Sequence, residues 1–187
     1  ISITPEFLLT IHSIVRWGRD CEESGTSFRR SKLQYPEEQA TSRYYKPPYP
    51  EQLSDLLQDL CAFANDDLYT PVSQSAIAHF QLESIKPFKT GLDKTGRLMC
   101  HAIMRRRGLM RRMVSPIGLE PAVDTKSHAS FLLPYSQGVP VDEQTSVSHI
   151  GRWVDFCAYS ADVAARTANV YSQAILNLRN VWRAKIG

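Results

Sequence analysis

The chain has 187 residues, of which 43% are hydrophobic and 22% are charged, and its formal net charge is +3. These values are typical of one globular domain with its own core. The small positive excess does not indicate nucleic acid as a partner, because that class of protein usually carries a clustered basic face. The chain has neither 18 consecutive apolar residues nor a visible signal peptide, so we expect no membrane partner.

The cysteines and the first residue bear on the compartment and on completeness. Cys21, Cys61, Cys100 and Cys157 form no C-x-x-C pair and have no histidine at metal-ligand spacing. We therefore predict reduced thiols, no metal site and a cytoplasmic protein. Because the chain starts at Ile1 rather than Met, we interpret it as a fragment of a longer chain.

Apolar spacing predicts helices along most of the chain. The first begins with Thr4 as N-cap and Pro5 in its first turn, and ends at Gly18. His12 lies beside its apolar face and is predicted to be a packed, hydrogen-bonded residue rather than a ligand. Further helices are predicted over residues 50–65, 73–85, 93–107 and 126–135. Residues 19–49 and 137–146 are predicted as loops.

The longest predicted helix covers residues 152–186. Its apolar positions step alternately by four and three, which predicts a continuous apolar stripe on one helix or on two stacked helices. The stripe consists of Ile150, Val154, Cys157, Ala161, Ala164, Ala168, Tyr171, Ile175, Leu178 and Trp182. Together the elements predict an all-α domain of six to eight helices.

Two further segments have alternative interpretations. Residues 42–46 are predicted as a short strand in an edge hairpin, since the prolines at 47 and 48 would prevent further pairing. Residues 105–112 are the densest basic run, and cations at a helix C-terminus complement its dipole without any ligand. The alternative is a patch for nucleic acid or an acidic partner, but the run lacks the interleaved aromatic residues of a nucleic-acid site.

The loop between the third and fourth of these helices carries a degenerate form of a known motif. Residues 86–97 read KPFKTGLDKTGR, and a basic loop before a helix N-terminus is suited to an anion. They resemble, without a gap, the motif H-P-F-x-[D/E]-G-N-G-R-x-x-R of the Fic (Fic/Doc, or fido) family. Residues 78–85 and 98–109 resemble the flanking helices of that family. The resemblance covers nearly the whole chain and implies a single Fic-like domain over residues 1–187, all-α with a small β-hairpin flap. It also implies a bacterial protein.

The resemblance implies an activity and a set of site residues. Family members transfer AMP from ATP, or less often another phosphate-containing group, to a hydroxyl of a target protein, with Mg²⁺ as cofactor. Pro87 and Phe88 would anchor the loop. The nucleotide phosphates would be bound by Gly91, Lys94, Gly96 and Arg97. The target protein would be bound by the flap residues Arg43, Tyr44, Tyr45 and Lys46.

Several family positions are substituted in this chain. Lys86 stands where the family has its histidine base, and lysine is a poor proton acceptor because its reference pKa is about 10.4. Thr90 replaces the acidic magnesium ligand, Leu92 replaces an asparagine, and Asp93 replaces a glycine. Lys94 keeps the charge of the first arginine but not its fork. No metal ligand is therefore assigned, and the alternative is that Asp93 supplies the missing carboxylate from a shifted position.

Three hypotheses follow from these substitutions. The first is a degenerate family member that has lost standard AMP transfer and retains a binding or regulatory role toward a protein partner. The second is an active nucleotidyl- or phosphate-group transferase with Lys86 in the histidine position. The third is an interaction module built on residues 105–112, although nucleic-acid binding within these residues is not expected. A homo-oligomer is compatible with all three.

Overall fold

The computed structural model describes residues 1–18, 27–33, 47–110 and 143–186, and they form five α-helices. These helices are α1 (Pro5–Trp17), α2 (Leu53–Asn65), α3 (Pro71–Ile85), α4 (Leu92–Arg106) and α5 (Glu143–Ile186), with a 3-10 turn at Pro50–Gln52. The predicted all-α class is confirmed. The predicted flap over residues 43–46 and the predicted helix over residues 126–135 lie outside the described residues. Within those residues, no helix combines the length and the apolar character needed to cross a membrane.

The helix ends follow local capping chemistry. The Thr4 hydroxyl accepts a hydrogen bond from the Phe7 amide at 3.1 Å, and Gly18 ends α1 at φ 83°. The Thr70 side chain caps α3 in the same way, so α3 begins at Pro71, two residues before the predicted start. One prediction was wrong: the helix α5 begins at Glu143, inside the predicted loop over residues 137–146.

Helix α3 lies at the centre of the fold, in contact with α2, α4 and α5. It therefore buries residues on every side, including the polar residues Gln74, Ser75 and His79. One core cluster joins the first four helices and the N-terminal segment. Its buried members are Ile3, Leu8, Ile11, Leu53, Leu57, Leu60, Cys61, Ala64, Ala78, Leu82, Ile85, Met99 and Ile103.

A second, smaller cluster joins α3 to α5 around Trp153, which is 1% exposed. Its Nε1 donates a hydrogen bond to the Ala76 carbonyl at 2.7 Å, and its ring meets the edge of His79 at a centroid distance of 5.5 Å. The single indole therefore supplies both packing and a polar contact between the two helices.

Replacing Trp153 with phenylalanine is expected to lower the free energy of unfolding by at least about 1 kcal/mol. The change removes the hydrogen bond to Ala76, and the smaller ring leaves part of the buried indole site unfilled. Urea unfolding monitored by circular dichroism measures the effect. Tyr159→Phe is the matched control, because Tyr159 is 61% exposed on the same helix. An equal loss of unfolding free energy in both variants would contradict the role of Trp153 in joining α3 to α5.

The apolar stripe of α5 is buried over only part of its length. Ala164 and Ala168 are buried, whereas Tyr171, Ile175 and Trp182 are 65%, 65% and 58% exposed. Among the described residues, the predicted stripe therefore lies on one continuous helix and is buried only in part. A helix of 44 residues is about 66 Å long at 1.5 Å per residue, so its C-terminal part extends past α3.

Candidate functional site

The loop between α3 and α4 is shaped by two residues in the left-handed region. Lys86 ends α3 at φ 47° and ψ 59°, and Gly91 precedes α4 at φ 70°. Glycine adopts such a φ without the steric cost that other residues pay, which explains Gly91. The loop between the two helices is therefore six residues long, from Lys86 to Gly91, and leads directly into the first turn of α4.

Phe88 and Pro87 hold the loop against the helical core. Pro87 is fully buried and Phe88 is 4% exposed. The Phe88 ring stacks on His12 of α1, with ring centroids 3.7 Å apart and planes 8° apart. Phe28 lies on the same ring at 5.4 Å. Aromatic contacts therefore fix the position of the loop relative to α1.

His12 also ties α1 to the first turn of α4. Its Nδ1 lies 2.8 Å from the Thr95 hydroxyl, and that hydroxyl donates to the Gly91 carbonyl at 2.9 Å. Since the Thr95 hydrogen is used in that bond, the Nδ1–H of His12 is the donor in the other. Burial, and to a lesser extent the charge of Arg16, lowers the pKa of His12. His12 is the packed, hydrogen-bonded residue that the sequence predicts.

Arg29 clamps the beginning of the loop from the segment over residues 27–33. Its side chain is buried and donates from Nε to the Lys86 carbonyl at 2.7 Å and from Nη2 to the Pro48 carbonyl at 2.6 Å. A longer contact reaches the Ile85 carbonyl at 3.3 Å, and the Arg29 amide donates to the Pro87 carbonyl. One guanidinium therefore satisfies carbonyl groups at the C-terminus of α3.

Three substituted motif positions offer little of the chemistry that the resemblance implies. Lys86 is half-buried, and an ammonium offers donors but no acceptor. The Thr90 hydroxyl accepts a hydrogen bond from Arg16 Nη1 at 2.8 Å, so a cation contacts the position at which the resemblance implies an acidic Mg²⁺ ligand. Leu92 packs against the main core cluster and offers no polar group.

Arg97 is the residue of the motif with the chemistry best suited to phosphate. Its Nη1 lies 2.8 Å from Oδ2 of Asp93, one turn earlier on α4. Asp93 occupies the position of a motif glycine, so the substitution itself supplies a carboxylate to the arginine. The cation that would meet a phosphate is already paired within its own helix.

The remaining motif positions differ in exposure. Lys94 is exposed. Gly96 is buried under His79: a Cβ there would lie 2.3 Å from Cδ2 of the imidazole, so only glycine allows α4 to pack this closely on α3. The flap residues Arg43, Tyr44, Tyr45 and Lys46 lie outside the described residues.

Glu83 is an acidic residue of the site to which the sequence assigns no role. Its side chain is 12% exposed. Burial raises the pKa of Glu83 to about 7, the negative charge of Asp93 adds to the shift, and the charges of Lys86 and Arg97 oppose it. Its i,i+4 spacing from His79 on α3 was the available signal, because that spacing places both side chains on one face of a helix.

Replacing Glu83 with glutamine is expected to flatten the dependence of stability on pH. Wild-type Glu83 keeps its proton up to about pH 7 when folded but releases it near 4.5 when unfolded. The free energy of unfolding should therefore fall as pH rises between these values, and Glu83→Gln should be more stable at pH 8 by about 1 to 2 kcal/mol. Urea unfolding from pH 4.5 to 8 in EDTA measures this, with the exposed Glu51→Gln as control. Parallel curves for wild type and Glu83→Gln would contradict the prediction.

Two arginines of the basic run at the end of α4, Arg106 and Arg107, form contacts within the molecule. Arg106 Nη2 and Arg107 Nε lie 2.6 Å and 3.3 Å from Oδ1 of Asp67, and Arg107 Nη1 donates to Gln74 Oε1 at 2.8 Å. These contacts join the end of α4 to the segment after α2 and to α3. They favour the structural interpretation of the run; residues 111 and 112 lie outside the described part.

Comparisons with known proteins agree with the resemblance. The family model described as Fic/DOC family matches residues 2–104. A protein adenylyltransferase Fic from Aedes aegypti is 28% identical over 179 residues, which cover 94% of this chain and 30% of that protein. The protein adenylyltransferase fic-1 of Caenorhabditis elegans is 34% identical over 67 residues, or 34% of this chain and 13% of that protein. The chain thus spans about a third or less of the length of these curated relatives.

Solved structures share the fold at lower identity. A Fic family protein from Desulfovibrio desulfuricans has a TM-score of 0.60 at 18% identity, covering 87% of this chain and 46% of that one. Fic-1 from C. elegans, residues 134–508, has a TM-score of 0.60 at 22% identity, covering 94% and 45%. At these identities the likeness concerns the fold of the chain.

Proposed function

Because this chain belongs to the Fic/DOC family, we propose that it is a Fic protein that has lost standard AMP transfer and keeps a binding or regulatory role toward a protein partner. The observation that carries the proposal is the 2.8 Å ion pair between Asp93 and Arg97. An arginine that binds phosphate must present its guanidinium to the ligand, and here a carboxylate of the same helix takes that place.

Electrostatics at the start of α4 disfavour ATP. A helix N-terminus and an arginine together attract a phosphate, but Asp93 places a negative charge in the first turn of α4. Two like charges about 4 Å apart repel by about 4 kcal/mol at an effective dielectric constant of 20. The triphosphate would have to displace the carboxylate from Arg97 and then remain beside it.

The groups needed for transfer are also substituted. The target hydroxyl would need a base, and the histidine position holds Lys86, a residue type that is a poor proton acceptor. The donor would need Mg²⁺, and Thr90 offers a neutral hydroxyl that is bonded to Arg16. Loss of the base, loss of the metal ligand and occupation of Arg97 all act against the same reaction.

A retained binding role is supported by the charge on the outer side of the loop. Lys89 and Thr90 are exposed, and with Arg16 and Arg30 they line one groove between α1, the segment over residues 27–33 and the loop. Its exposed cations would suit an acidic segment of a protein partner. Arg29 and Phe88 also line this groove, and their role would then be to maintain its shape for the partner.

The proposal is tested by incubating the protein with labelled ATP, Mg²⁺ and cell lysate. We expect no more label on lysate proteins than with Lys86→Ala. Transfer by the wild type that disappears in Lys86→Ala would overturn the proposal.

A second candidate is a transferase of a phosphate-containing group in which Lys86 or Lys94 stabilises phosphate charge. It is favoured by the number of cations around the loop, since Arg16, Lys89 and Lys94 are all exposed there. Calorimetry with a panel of nucleotides, each with and without Mg²⁺, separates the candidates. A transferase needs a donor, so this candidate fails if the wild type binds none of them.

A further inference from the structure

We propose that His79, Glu83 and Asp93 form a binding site for a divalent first-row transition-metal ion, with Zn²⁺ as the preferred ion, in the seam between α3 and α4. The proposal is independent of the loss of AMP transfer, because it involves no nucleotide and no catalytic step. The ion would act as a clamp between the two helices that flank the motif loop.

The three side chains converge from two helices. His79 and Glu83 lie one turn apart on α3, with Nε2 and Oε1 separated by 3.9 Å. Asp93 approaches from the first turn of α4. One ligand atom from each residue can be chosen so that all three lie within 4.8 Å of one another. Ligands at about 2.0–2.1 Å around a tetrahedral zinc ion are about 3.4 Å apart, so side-chain shifts of about 1 Å would complete the site.

The donor set selects the class of ion. One imidazole nitrogen and two carboxylate oxygens suit Zn²⁺, Mn²⁺ or Fe²⁺, and zinc has the highest affinity of the three for a mixed nitrogen and oxygen site. Mg²⁺ is disfavoured because it prefers an all-oxygen shell that includes several waters. Zinc can bind three protein ligands and a solvent molecule in the fourth position. The Asp93 side chain is 44% exposed, so solvent can reach the ion from that side.

Burial and charge explain why a cation would stabilise this arrangement. His79 is 5% exposed and the Glu83 side chain is 12% exposed, so the two carboxylates meet at the edge of a dry region. A divalent ion would neutralise both, while Oδ2 of Asp93 keeps its contact with Arg97 at 2.8 Å and orients the ligand. Because the positive charges of Lys86 and Arg97 act on the Glu83 carboxylate, we expect them to weaken the binding of a cation there.

The site differs from the metal position that the motif implies. That position is Thr90, whose hydroxyl is bonded to Arg16, whereas Asp93 occupies a motif glycine. The third ligand therefore comes from a substitution in this chain.

The test uses the full chain, treated with EDTA, dialysed and titrated with Zn²⁺ against a chromogenic chelator at pH 7.5 without nucleotide. We expect one equivalent to bind in the wild type. Asp93→Asn and Glu83→Gln should each weaken binding by about tenfold or more. Asp162→Asn should leave it unchanged. Asp162 is a matched control because it also forms an i,i+4 pair with an arginine, Arg166, at 2.9 Å.

Cobalt substitution then distinguishes these ligands from cysteines. A Co²⁺-loaded protein should show ligand-field bands that disappear in Asp93→Asn, without sulfur-to-cobalt charge-transfer absorption. Circular dichroism checks that each variant is folded; Asp93→Asn, at a half-exposed position, is the deciding one. No binding by the wild type, or binding that both variants retain, would overturn the proposal. Neither result would alter the outcome of the labelled-ATP assay.

Discussion

Replacing Asp93 with asparagine is expected to raise the affinity of the chain for ATP by about 30-fold, which corresponds to about 2 kcal/mol. The substitution removes the negative charge from the first turn of α4 and releases Arg97 from its 2.8 Å ion pair. Two like charges at close range repel by about 4 kcal/mol. Roughly half of that repulsion is expected here, because the Asp93 side chain is 44% exposed and solvent screens its charge.

Isothermal calorimetry with ATP, with and without Mg²⁺, measures this change. Asp162→Asn again serves as the control, since it breaks an i,i+4 pair of the same kind with Arg166, far along α5. Equal ATP affinity in wild type and Asp93→Asn would show that the carboxylate does not obstruct the phosphate site.

Replacing Arg29 with alanine is expected to lower the free energy of unfolding by about 3 kcal/mol or more. The guanidinium is buried and donates to the carbonyls of Lys86 and Pro48 at 2.7 Å and 2.6 Å. Hydrogen bonds to a charged group contribute about 1.5–3 kcal/mol, and carbonyls left without donors add a desolvation cost. Since these carbonyls belong to the motif loop and the segment before α2, both should loosen.

Urea unfolding gives the stability change for Arg29→Ala, and hydrogen exchange of the amides over residues 85–92 reports the loop directly. The adjacent Arg30→Ala is the control, because Arg30 is exposed and should change stability by less than about 0.5 kcal/mol. Similar losses of stability in Arg29→Ala and Arg30→Ala would contradict the claim that Arg29 holds the loop in place.

Much of the helical framework could be predicted from the sequence because its signals are local. Thr4, Pro5 and Gly18 mark the ends of α1, where the structure places them. The limits of α3 and α4 are within two residues of prediction, since periodicity changes abruptly at the loop. Local signals did not show which part of α5 packs against α3. Tyr171 and Trp182 continue the apolar stripe but are exposed, and their exposure depends on tertiary contacts rather than on local sequence.

Most features that could not be predicted from the sequence are contacts between distant segments. Arg29 lies in a stretch without periodicity, and its carbonyl acceptors are up to 57 positions away. His12 contacts Thr95, which is 83 positions away in the sequence. The sequence could therefore predict that His12 is packed and hydrogen-bonded, but not which residue is its partner. The Asp93–Arg97 pair is different: the two residues are four apart on a predicted helix, and that spacing alone favours an ion pair.

The identity of the motif loop came from resemblance, and its altered chemistry from individual residues. Pro87, Phe88 and Gly91 occupy positions that a loop of this shape requires, whether or not it reacts. Lys86 and Thr90 are visible as substitutions in the sequence. Only the structure places Arg16 against Thr90.

The most direct measurement compares the wild type with a variant in which five motif positions are restored: Lys86→His, Thr90→Asp, Leu92→Asn, Asp93→Gly and Lys94→Arg. Both proteins are incubated with labelled ATP, Mg²⁺ and lysate, after circular dichroism has shown that both are folded. If the loop keeps its shape through Pro87, Phe88 and Gly91 and has lost only its reactive groups, the restored variant should label lysate proteins. The wild type should then give no labelling above background. Labelling by the wild type equal to that of the restored variant would contradict the account.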